Sequence, residues 1–124
     1  MRRALFFVVI AGLLHLIAPQ MSLAAEEHAV IVYLRVSASA SKGDLDKLFK
    51  LEEEVASAIE RAHAGEHDGN EIGGGEFTIY CYGPNGDELF AAIEPVLRKS
   101  PYSAGARVVV RYGKPGARQS ERRF

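Results

Sequence analysis

The chain has 124 residues, 48% hydrophobic and 25% charged, with 15 Lys+Arg against 16 Asp+Glu and a formal net charge of −1. This is enough apolar content for one small core and no more. The balance excludes a strongly basic nucleic-acid binder, and the single cysteine excludes a disulfide-framed scaffold.

The chain opens Met1-Arg2-Arg3, followed by an apolar run from Ala4 to Ala18 interrupted only by His15. Pro19-Gln20-Met21 then leads to Ser22-Leu23-Ala24, which places small side chains at the third and first positions before a cut. A basic start, a short apolar run and a small-residue site together predict a cleaved signal peptide over 1–24. The run falls short of the roughly 20 apolar residues that a membrane anchor needs. Arg2-Arg3 lacks the flanks of a twin-arginine signal. The expectation is therefore a periplasmic or secreted protein with no membrane attachment once the leader is removed. Losing Arg2 and Arg3 leaves 13 basic against 16 acidic residues. Residues 114–124 hold four of those bases and one acid, so the body over 25–113 is acidic. Export and acidity both argue against nucleic acid as a partner.

Ala29 to Ser37 is β-branched and apolar and predicts a strand, with Val30, Val32, Leu34 and Val36 on one face and Ile31, Tyr33 and Arg35 on the other. Ser41 and Asp44 form a capping-box start. Leu45, Leu48, Leu51, Val55, Ala58, Ile59 and Ala62 recur at helical spacing, predicting an amphipathic helix over 44–63 that Gly65 stops. Residues 65–76 are polar and glycine-rich. They read either as a plain loop or, over 66–72, as a short polar strand turning through Gly73-Gly74-Gly75. Phe77 to Tyr82 alternates, with Phe77, Ile79 and Cys81 opposite Thr78, Tyr80 and Tyr82. After the turn at 83–86, a second helix is expected over 87–99, kinked by Pro95. Ala106 to Tyr112 predicts a last strand, with Val108, Val110 and Tyr112 opposite Arg107, Val109 and Arg111. Residues 114–124 lack periodicity and are expected to form a flexible basic tail.

With 66–72 counted as a strand, the order is βαββαβ, an α+β fold of the ferredoxin-like type, in which two helices cover one face of an antiparallel sheet. The alternation then collects Tyr33, Arg35, Tyr80, Tyr82, Arg107 and Arg111 on the uncovered face. Tyrosine and arginine combine contact area with directional polar groups and are enriched where proteins dock. That face is the leading candidate site, for a protein partner or a homodimer.

The alternative centre is an acidic hairpin over 63–76. His63, His67, Asp68, Glu71 and Glu76 are residue types that could hold zinc or another first-row ion, and Asp68, Glu71 or Glu76 could supply an acid–base pair beside Tyr80 and Arg35. Gly65 between the two histidines opposes a shared helix face. A calcium loop starting at Asp68 fails because Ile72 and Ile79 fall at ligand positions. The triple glycine follows a helix and precedes a strand, the reverse of a phosphate-binding loop. Cys81 reads as a buried, inert thiol. No serine lies in a nucleophile-elbow sequence, and no cofactor is expected.

The stretch from Gly65 through Asp68-Gly69-Asn70-Glu71-Ile72-Gly73-Gly74-Gly75-Glu76, followed by Tyr82-Gly83-Pro84-Asn85-Gly86-Asp87, resembles small bacterial proteins of no established activity. The resemblance spans roughly 29–116 and implies no residue roles.

Overall fold

A computed structural model describes residues 27–124; the signal peptide expected over 1–24 lies outside them. The described residues fold as α+β, with two helices and one five-stranded antiparallel sheet. In chain order these are strand β1 (His28–Arg35), helix α1 (Lys42–Ala62), strands β2 (Glu66–Gly73) and β3 (Glu76–Gly83), helix α2 (Gly86–Lys99), a 3-10 turn (Pro101–Ser103), and strands β4 (Arg107–Arg111) and β5 (Gln119–Arg123). The sheet order is β2-β3-β1-β4-β5. Among the described residues, no helix is long and apolar enough to cross a membrane.

The α1 start is the reciprocal capping box that the sequence predicts. The Ser41 hydroxyl accepts from the Asp44 N–H at 3.2 Å, and the Asp44 carboxylate accepts from the Ser41 N–H at 2.9 Å. Its end comes two residues before the expected glycine. His63 takes a left-handed conformation (φ 50°), and its N–H reaches back to Glu60 and Ile59. Gly65 has a separate task. A Cβ there would strike the Tyr82 carbonyl, and one on Gly83 would strike the Ala64 carbonyl. Two glycines thus let the α1–β2 connection lie directly against the end of β3.

Both helices bury their apolar stripes on the same side of the sheet. Val30, Val32 and Leu34 of β1, Phe77, Ile79 and Cys81 of β3, and Val108 and Val110 of β4 meet Leu48, Leu51, Val55 and Ile59 of α1 and Leu89, Ile93 and Leu97 of α2. Helix α2 starts at the Asn85 cap and continues through Pro95 to Lys99. Its first N–H, from Gly86, donates to His28 Nδ1 at 2.8 Å, which pins the helix to the start of β1.

The open choice at 66–72 resolves as a strand. β2 pairs antiparallel with β3, with a bulge between His67 and Asn70. Residues 114–124 differ from expectation. Rather than forming a flexible tail, Gln119–Arg123 pair with β4, from Arg107↔Arg123 to Arg111↔Gln119, so the boundary set at 113 cuts through the sheet. The added strand has no apolar alternation and is held by other means. Its backbone groups pair with the edge of β4, and Phe124 turns onto α2, its ring 6.4 Å from that of Phe90, with the Arg98 guanidinium 5.0 Å above it.

Candidate functional site

Directly paired residues of antiparallel neighbours lie on the same side of a sheet. The pairings therefore fix what the uncovered face presents. One row runs Glu66, Tyr82, Ala29, Arg111, Gln119 across the five strands. The next passes the β2 bulge and runs Tyr80, Ile31, Val109, Glu121. A third runs Glu71, Thr78, Tyr33, Arg107, Arg123, and beyond it Glu76 lies opposite Arg35. Tyr33, Arg35, Tyr80, Tyr82, Arg107 and Arg111 thus share one face, and neither helix covers it.

The face is layered. Ala29, Val109 (5% exposed) and Thr78 (7%) lie at its floor, shielded by the larger side chains around them. Tyr33, Tyr80, Tyr82, Arg107 and Arg111 are half-buried, and Arg35 is exposed. The Arg107 guanidinium lies 4.0 Å from the Tyr33 ring centroid and 3.6 Å from the Glu121 carboxylate, which also takes Arg123 at 2.8 Å. Arg111 Nε donates to the Gly113 carbonyl at 2.8 Å. Burial, then the Glu71 carboxylate beside it, pushes the Tyr80 phenol above its ordinary pKa, so it remains a neutral hydroxyl.

Charge is divided across this face. Glu66, Glu71 and Glu76 occupy the β2–β3 side, and none of them has an ion-pair partner among the described residues. Arg107, Arg111 and Arg123 occupy the β4–β5 side. Arg35, on the central strand, also lacks an ion pair there. Its side chain passes toward β4, since a Cβ built on Gly105 would meet Arg35 Cδ at 3.5 Å.

The residues of the acidic hairpin do not come together. His63 caps α1, His67 faces the helices opposite Cys81, and Asp68 sits in the bulge. Glu71 and Glu76 lie on the other face of the sheet, opposite Thr78 and Arg35. No group of three or more His, Cys, Asp or Glu side chains able to hold a metal ion occurs among the described residues.

His67 instead meets a residue that the sequence reading passed over. Glu52 of α1 is only 7% exposed. Its carboxylate lies 2.6 Å from His67 Nε2 and accepts from Asn70 Nδ2 at 2.9 and 3.1 Å. The signal was its position: Glu52 falls four after Leu48 and three before Val55, inside the apolar stripe. Together the three residues strap polar β2 to α1. Burial, then the Glu52 carboxylate, pushes the Cys81 thiol up to about 12, which leaves little thiolate at neutral pH. Compared with known proteins, the chain matches no family model, no curated protein and no solved structure.

Proposed function

We propose that the chain is an exported, noncatalytic interaction module that docks a protein surface, a partner's or its own copy's, through the uncovered Tyr/Arg face. The architecture in this reading is ferredoxin-like, βαββαβ, with β5 added at one edge; the order β2-β3-β1-β4 and the two helices on one side support it. The observation that carries the docking role is the composition of the face. Three tyrosines and four arginines surround an apolar floor, without a helix or loop of the described residues laid over them. Aromatic and guanidinium groups in such a setting are the usual anchors of protein contacts. The neutral Cys81 thiol and the scattered hairpin acids favour holding over chemistry. Placement in the periplasm or outside the cell rests on the 1–24 pattern alone.

Hydroxyl-radical footprinting tests the docking role without knowing the occupant. Tyr33, Tyr80 and Tyr82 should react readily in dilute purified protein and be protected in the cells that make it. Equal reactivity in the two settings would sink the proposal.

A further inference from the structure

Resting on the reading of this face as a docking surface, we infer that its occupant is a second copy of the chain, related by a two-fold axis parallel to β1. The argument begins with the unequal charge of the two flanks. Three unpaired carboxylates stand on the β2–β3 side; three guanidinium groups and one carboxylate stand on the β4–β5 side. A symmetric dimer brings one patch onto itself, so the axis decides which flank meets which.

An in-plane axis perpendicular to the strands would lay β2 over β2 and β5 over β5, stacking acid on acid and base on base. Like charges brought together in this way cost several kcal/mol. An axis along β1 lays β2 over β5 and β3 over β4, which stacks opposite charges. Either axis keeps the strands of the two sheets aligned, as face-packed sheets prefer, so charge makes the choice.

The rows then match position by position. Glu71 falls over Arg123 of the copy; the two Arg35 backbones meet at the axis, and each side chain, leaning toward its own β4, reaches the Glu76 of the other chain. Tyr82 falls over Arg111, an aromatic-on-guanidinium contact, and Tyr80 over Val109. Ile31 meets Ile31 at the axis. The apolar middle row is thus buried between two charge-matched flanks, the arrangement of a docking core with a polar rim. Glu71, Glu76 and Arg35, left without ion partners inside one chain, find opposite charges in the other, while Glu66 falls over Gln119.

The test is a charge exchange read by sedimentation velocity. Wild-type protein should be a dimer at micromolar concentration, weakening as salt screens the flanks. Glu71→Arg alone and Arg123→Glu alone should each raise the dimer Kd by about a hundredfold, because symmetry repeats the like-charge contact twice and a tenfold step is about 1.4 kcal/mol. Mixing the two variants should restore a dimer containing one chain of each, since both contacts are then opposite in sign. If either variant fails to melt like wild type, Glu76→Arg with Arg35→Glu applies the same logic to the neighbouring pair. A wild-type dimer whose two variants do not recombine would overturn the two-fold arrangement. A monomeric wild type would overturn self-association, and in-cell protection of the tyrosines would then show that the face still docks something else.

Discussion

The two edge strands, β2 and β5, are alike in sequence character and unlike in how they are held. Both are polar and mostly exposed, and neither brings an apolar stripe to the core. β2 is fastened by charge: one nearly buried carboxylate on α1 takes His67 and Asn70 together. β5 is fastened by aromatic contact: Phe124 lies between Phe90 and the Arg98 guanidinium, while Arg122 stacks on Phe90 at 5.2 Å. A strand too polar to hold itself can be secured by one anchor on the helix side. The physics of that anchor then decides what dislodges it.

The largest expected effect is on the charged anchor. Glu52→Ala leaves His67 and Asn70 facing an apolar stripe and should cost about 3 kcal/mol in chemical denaturation. It should also loosen β2 enough to speed alkylation of Cys81, which lies opposite His67. Glu52→Gln, which keeps the shape and acceptor capacity toward Asn70, should lose less than half as much. If Ala and Gln behave alike, the strap is not what holds β2.

Next comes the aromatic anchor. Phe124→Ala should cost about 1 to 2 kcal/mol, below a fully buried aromatic because the ring is only half covered. It should leave Cys81 alkylation nearly at the wild-type rate, since β5 lies at the far edge. A Cys81 rate that rises equally in both variants would show that the two edges open as one unit.

The smallest effect concerns the start of α1, the helix that carries the strap. Hydrogen bonds from the Ser41 N–H and hydroxyl, aided by Lys47, lower the Asp44 pKa below the ordinary 3.8. A carboxyl depressed in the folded state stabilises fully above its unfolded pKa, and that contribution is lost as pH falls through the folded value. Asp44→Asn should therefore melt below wild type at pH 7 and converge with it as the pH falls below 3.8 and through the folded value. A difference that persists in acid would mean that charge is not its source.

These anchors also mark the limit of what pattern reading reaches. β1, β3, β4 and both helices were legible because Val30/Val32/Leu34, Phe77/Ile79/Cys81 and Leu48/Leu51/Val55 repeat at the periods of strand and helix. That alternation also sorted Tyr33, Tyr80, Tyr82, Arg107 and Arg111 onto the face opposite the core. β2 was legible only as one of two options, and β5 not at all, because Gln-Ser-Glu-Arg-Arg has no apolar period and is held by backbone pairing to a strand already in place. Arg123 and Glu121 consequently went unread as part of the face. Glu52 was hidden by its charge, since its partners on β2 are set by a bulge that no periodicity encodes.

The sheet order has a consequence in time as well as space. β1 stands at the centre, but its neighbours are β3 and β4, so Ile31 must wait for Tyr80 on one side and Val109 on the other. Neither neighbour of β1 is the strand that follows it in the chain. Pairings this distant close large loops before they are rewarded, which places such a chain among the slower-folding small domains. A chain lengthening from its first residue holds its central strand unpaired on both sides until β3 is present, and on one side until β4 follows.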